Sequence, residues 1–106
     1  SFYTTQSFTQ EKPQTCLALV RGIESALAVL HGDDPMDTAR AVSDYFPDLT
    51  DESLARMIDG YRGSGMWAHT TELPVTAFTR LKAAMISGGL ISYDAPYDRL
   101  VTDVTE

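Results

Sequence analysis

The run Tyr45–Trp67, YFPDLTDESLARMIDGYRGSGMW, does most to constrain what this chain can fold into. Proline biases the residue before it away from the α region, so Phe46 and Pro47 stop whatever helix precedes them. Thr50 or Asp51 can cap the next helix, and Asp51 and Glu52 place negative charge at the positive end of its dipole. Leu54, Met57, Ile58 and Tyr61 then recur at i, i+3, i+4 and i+7, with Arg56, Asp59 and Arg62 on the other side. That is the pattern of a helix packed along one face. Gly60 sits inside it at a cost of about 1 kcal/mol relative to alanine. Gly63 and Gly65 can take left-handed backbone angles and end the helix, after which Met66 and Trp67 are expected to dock.

The rest of the chain extends this reading to an all-α fold with four main helices, near 13–30, 36–46, 51–63 and 74–87, and at most one short strand at the start. Phe2–Ser7 is aromatic and threonine-rich, which favours a strand, although a lone strand leaves its backbone unpaired. Ser7 to Lys12 can make one helical turn, and Pro13 suits the first turn of the next helix. From there Cys16, Leu19, Val20, Ile23, Ala26, Leu27 and Leu30 recur at spacings of three and four, with His31-Gly32 as the stop. Asp34 is the expected cap of the second helix, which turns Met36, Ala39, Val42 and Phe46 inward and Asp37, Arg40 and Asp44 outward. The fourth helix buries Phe78, Leu81 and Met85, exposes Arg80 and Lys82, and closes at Ser87-Gly88-Gly89. Leu90 and Ile91 are expected to tuck under the bundle, and Pro96 to open a last turn through Leu100.

At 106 residues the chain is expected to be a single helical domain, residues 1–106, able to bury about two thirds of its unfolded surface. The net charge of -7, with no basic cluster, argues against nucleic acid and against an anionic membrane surface. One cysteine, Cys16, allows no internal disulfide and excludes a cysteine-rich zinc module. No basic stretch followed by an apolar run and a small-residue cleavage site opens the chain. The apolar run Cys16–Leu30 is broken by Arg21 and Glu24 and reads as too short and polar to span a bilayer, so no membrane insertion is expected. Phe2 and Tyr3 read as the middle of an extended segment, and the chain is expected to be a fragment of a longer protein.

Few residues suggest chemistry. His31 and His69 fall in different loops with no carboxylate or thiol at ligand spacing, so surface or capping roles are the better reading. Asp33, Asp34 and Asp37 lack the glycine-centred pattern of a calcium loop, and Cys16 lies on an apolar stripe where a buried, inert thiol is expected. Gly63-Ser64-Gly65 lacks a phosphate-loop lysine, and Ser64 lacks the setting of a hydrolase nucleophile. No catalysis, metal or cofactor is expected. Tyr61 and Trp67 stay open between core packing and a ligand-facing role.

With those residues in view, the run YFPDLTDESLARMIDGYRGSGMW, followed by ELPVTAFTRLKAAMISGGLI and then APYDRLV, resembles the C-terminal end of periplasmic substrate-binding proteins of ABC importers. The branch is the one that takes nitrate, sulfonates, taurine and the pyrimidine precursor of thiamine. The matching elements are Phe46-Pro47, Gly65-Met66-Trp67, Gly89-Leu90-Ile91 and Pro96-Tyr97-Asp98-Arg99-Leu100-Val101, and FTQEKPQTCLALVRGIESAL resembles the long helix of that family. Two departures stand out: the two α/β lobes that enclose the ligand are absent, and Leu73 precedes Pro74 where a Ser or Asp cap would be expected. The resemblance implies a non-catalytic solute-binding component that captures a small organic ligand or anion for uptake. It also implies an ABC permease as partner and a periplasmic or membrane-anchored extracellular location for the parent protein. Tyr61 and Trp67 are then the candidate ligand-binding residues. The alternative is a free-standing helical protein–protein interaction module. As a fragment stripped of the two lobes, the isolated chain is expected to self-associate as a two-fold homodimer through Phe2–Ser7 and the Leu19, Ile23 and Leu27 face, whereas a self-sufficient module is expected to be monomeric or cleanly dimeric.

Overall fold

The computed structural model describes residues 2–105, and the chain is all-α, with no strand among the described residues. Its helices are α1 (Gln6–Glu11), α2 (Pro13–Gly32), α3 (Pro35–Val42), α4 (Asp51–Gly63), α5 (Val75–Ser87) and α6 (Tyr97–Leu100), with a 3-10 turn at Ser43–Tyr45 after α3. Three starts carry the side-chain caps that their sequences supply. Thr5 accepts from the Phe8 amide, Asp34 from Met36 and Thr50 from Ser53. The expected strand does not form. Residues 2–5 are irregular and the chain enters α1 at Gln6, because no second strand is present to take up their backbone groups while the Thr5 hydroxyl offers a local cap.

Two boundaries differ from the sequence expectation. His31 and Gly32 lie inside the last turn of α2, since the Asp33 amide still donates to the Val29 carbonyl. α3 stops at Val42 and tightens into the 3-10 turn, whose Phe46 amide bonds Ser43 just ahead of Pro47. The twenty residues of α2 span about 30 Å, which by length and composition alone suffices to cross a membrane. Its length thus exceeds the apolar run from which the sequence argues otherwise. Arg21 and Glu24 remain at its middle, where a charged side chain in hydrocarbon costs roughly 3 kcal/mol.

By its contacts the chain forms two units, Ser1–Leu17 with Glu72–Glu106, and Ala18–Thr71. In Ala18–Thr71 the core is the contact between α3 and α4. Ala39 is wholly buried there, Leu54 and Ile58 nearly so, and Ala55 and Trp67 pack against them. The α4 stripe is therefore half used, since Met57 and Tyr61 stay exposed, as do Phe46 and Met66. Thr38 is buried as well, and its hydroxyl has no partner.

In the other unit α5 buries none of its residues, and Leu81 is exposed. Lys82, expected outside, is instead drawn in. Its Nζ lies 2.6 Å from Asp94, donates to the Ala95 carbonyl at 2.9 Å and stands over the Phe78 ring, 5.2 Å from its centroid. Tyr97 packs edge-on against Phe78 and donates its hydroxyl to the Leu73 carbonyl at 2.6 Å. Leu90 does not tuck in, being exposed, whereas Ile91 is half-buried.

α4 and α5 end in the same way. After α4 the Met66 amide donates to Tyr61 and Gly65 to Arg62, and after α5 Leu90 donates to Met85 and Gly89 to Ile86. This paired pattern is the Schellman motif, which needs a left-handed residue at its turn. Gly65 (φ 72°) and Gly89 (φ 76°) supply it, whereas Gly63 keeps a negative φ.

Candidate functional site

The last carbonyls of a helix lack intrahelical donors, and at the end of α2 they are met by Arg62 from α4. Its Nη1 donates to the carbonyls of Asp33 (2.9 Å), Leu30 (3.3 Å) and His31 (3.4 Å). Its Nη2 stands 3.6 Å from Asp59. A guanidinium at the negative end of a helix dipole is favourable, so one side chain both caps α2 and ties it to α4.

The connection after Trp67 returns to this same end. His31 Nε2 lies 3.0 Å from the Ala68 carbonyl. Because a carbonyl only accepts, this nitrogen carries the proton. The His69 ring stacks on His31 with centroids 3.8 Å apart and planes 21° from parallel. Two residues on, the Thr71 hydroxyl donates to Glu24 at 3.1 Å. The segment Ala68–Thr71 is thereby fastened along the C-terminal half of α2. The two histidines, far apart in sequence and with no ligand spacing, are neighbours. Only the turn at Gly65, which reverses the chain, could have hinted at it.

Tyr61 and Trp67 meet edge to face, with centroids 5.7 Å apart. Trp67 is half-buried against Ala39, Leu54 and Ile58, and Tyr61 is 42% exposed. The tryptophan thus packs on the core and touches the tyrosine beside it. A surface concavity of this unit lies elsewhere. It is a shallow, open depression lined by Asp34, Pro35, Met36, Glu52, Ala55, Arg56 and Asp59. Three carboxylates against one guanidinium favour a cation and oppose nitrate or a sulfonate there.

In the other unit a second open depression is formed by Gln6, Thr9, Gln10, Pro13, Thr102 and Val104, with no charged side chain. Asp103 beside it has its carboxyl pKa lowered by the hydroxyl and amide hydrogen bonds from Thr105. Cys16 is free and buried. Among the described residues no three of His, Cys, Asp and Glu stand close enough to hold a metal ion. Compared with protein-family models, curated proteins and solved structures, the chain matches none.

Proposed function

We propose that this chain is a helical protein–protein interaction module, with no catalytic role, whose uncovered apolar faces are completed by a partner. The carrying observation is surface. The 11.6 kDa chain exposes 8372 Å². Two independent globular bodies of half that mass would together expose about 7,000 Å². Leu19, Val29, Met57, Leu81, Ile86 and Leu90 are among the large apolar side chains exposed, more than isolated surface leucines require.

A second reading, the solute-binding component of an ABC importer, is favoured by the order of the tail motifs, each of which falls at a helix boundary. Gly65-Met66 and Gly89-Leu90 terminate α4 and α5 as Schellman turns, and Pro96 precedes α6. That chemistry ends helices in many folds, so it supports the importer reading less than the uncovered apolar surface supports a partner. In the importer reading the ligand would be enclosed largely by lobes outside this chain, with Tyr61 and Trp67 as the residues it offers.

Calorimetry and sedimentation separate the two. The interaction reading expects no saturable heat with taurine, nitrate or an aminopyrimidine, and concentration-dependent self-association that Leu19→Glu weakens. Micromolar binding of any of those solutes would favour the importer instead. A chain that stays monomeric at high concentration and binds no hydrophobic dye would remove the interaction reading.

A further inference from the structure

We infer that the depression between α3 and α4 is a docking groove for a basic amphipathic segment of a partner protein, an inference that rests on the interaction reading and names the partner's chemistry. Its lining is divided by burial. Pro35, Met36 and Ala55 are half-buried, whereas Asp34, Glu52, Arg56 and Asp59 are exposed. The inner surface is thus apolar and the outer one charged. The two helices that carry these residues are packed through Ala39, Leu54 and Ile58, so the groove is formed before anything binds.

The charge of this region is one-sided. Eight of the chain's fifteen acidic residues fall from Asp33 to Asp59, where the only bases are Arg40 and Arg56. Arg40 is paired with Asp37. Arg56 and the N-terminus of α3, worth about half a positive charge, offset only part of the three carboxylates that line the groove. Asp34 gives one oxygen to the Met36 amide, and Asp59 stands 3.6 Å from Arg62, which is itself committed to the last carbonyls of α2. Glu52 enters no ion pair among the described residues. These carboxylates do not stand close enough to share a metal ion. What complements them is therefore several separated cations rather than one.

A second copy of this chain cannot supply them. Its eight lysines and arginines are scattered, and in the nearest pair, Arg80 and Lys82, the lysine is already engaged by Asp94 and Ala95. Nucleic acid and anionic lipid carry the wrong sign. A partner segment that interleaves Lys or Arg with leucine-like side chains meets both parts of the groove. Its apolar residues rest on Pro35, Met36 and Ala55 and its cations face the carboxylates, which is the helix-in-groove mode of recognition with charge fixing the register.

The test titrates the full chain into a dye-labelled peptide of about fifteen residues, with leucines at helical spacing and lysines between them. Binding is followed by fluorescence anisotropy at about 0.02 M and about 0.3 M salt, and is expected at the first and weaker at the second. Glu52→Lys should weaken it about tenfold, whereas Glu11→Lys, which changes the net charge equally but lies on α1, should weaken it less than about twofold. Met36→Ser should weaken it at both salt concentrations. Equal losses in Glu52→Lys and Glu11→Lys, or equal affinity for a peptide with serine in place of every leucine, would overturn the groove. A chain that ignores the peptide yet self-associates in a Leu19-dependent way would overturn it and leave the interaction reading standing. One that ignores the peptide, stays monomeric and binds no hydrophobic dye would remove both.

Discussion

The α3–α4 pair and the α5–α6 region contain helices of similar promise in sequence, yet they are held by different means. α3 and α4 meet through small and branched apolar side chains, Ala39 against Leu54 and Ile58. α5 has an apolar stripe too, but no residue of it is buried, and its neighbours are fixed by Lys82 and Tyr97 reaching to backbone carbonyls. The difference lies in the partner. A stripe becomes a core only where a second helix with a close-approach residue lies across it, and Ala39 provides that for α4. Without one, long amphipathic side chains do the fastening.

The sharpest way to break this comparison is to empty both sites. Ile58→Ala or Leu54→Ala should destabilise the unit Ala18–Thr71 by about 2–4 kcal/mol, in the range for buried aliphatic truncations. Leu81→Ala, on the exposed face of α5, should cost under about 0.5 kcal/mol in its own unit. Urea unfolding followed by Trp67 fluorescence reads the first, and amide exchange within α5 reads the second. Equal losses would mean that α5 has a core after all.

The polar fastenings of the two units can be weighed next. Arg62→Ala removes three carbonyl contacts and the charge at the end of α2, and should cost about 1–2 kcal/mol, with Arg62→Lys recovering part of it. In the other unit Lys82→Met should cost about 1 kcal/mol through the lost Ala95 bond. Asp94→Asn should change little, because its carboxylate is largely exposed and surface ion pairs contribute weakly. Exchange rates at residues 95–100 would show which of the two Lys82 contacts matters.

The smallest effect is expected at Asp103. Its folded pKa lies below the ordinary carboxyl value because Thr105 donates to the charged form. The turn it closes is therefore favoured at pH values above the unfolded carboxyl range, and that contribution is lost as pH falls through the lowered folded value. The Thr105 amide resonance should shift over that acidic window in the wild type, and the shift should shrink in Asp103→Asn. An unchanged response in the variant would assign the shift to another group.

Much of this was legible. Thr50, Asp34, Pro13 and the glycines at 65 and 89 mark helix ends by local chemistry, and α4 runs over the residues that its periodicity predicts. What failed to show was which stripes find a mate. Leu54 and Ile58 look no different in sequence from Leu81 and Met85, because the difference is supplied by Ala39, a residue with no pattern of its own. The threonines at 4 and 5 favour a strand by propensity, but a hydroxyl poised to cap a helix decided Thr5. The His31–His69 contact was illegible for a further reason: it depends on how far the chain travels after the turn at Gly65, and spacing rules for ligand sets do not report stacking.

α4 also has a property that follows from its two ends. Thr50 closes one and the turn at Gly65 closes the other, so the segment 50–66 carries within itself every instruction for where it begins and stops. A residue inserted in the stretch before Thr50 or in the connection after Trp67 would lengthen a loop without rotating the helix, and Leu54 and Ile58 would still point the same way. Such a segment behaves as a cassette. Its phase is insulated from accidents of length on either side, which leaves the flanking loops free to vary in length while the buried contact with Ala39 stays in register.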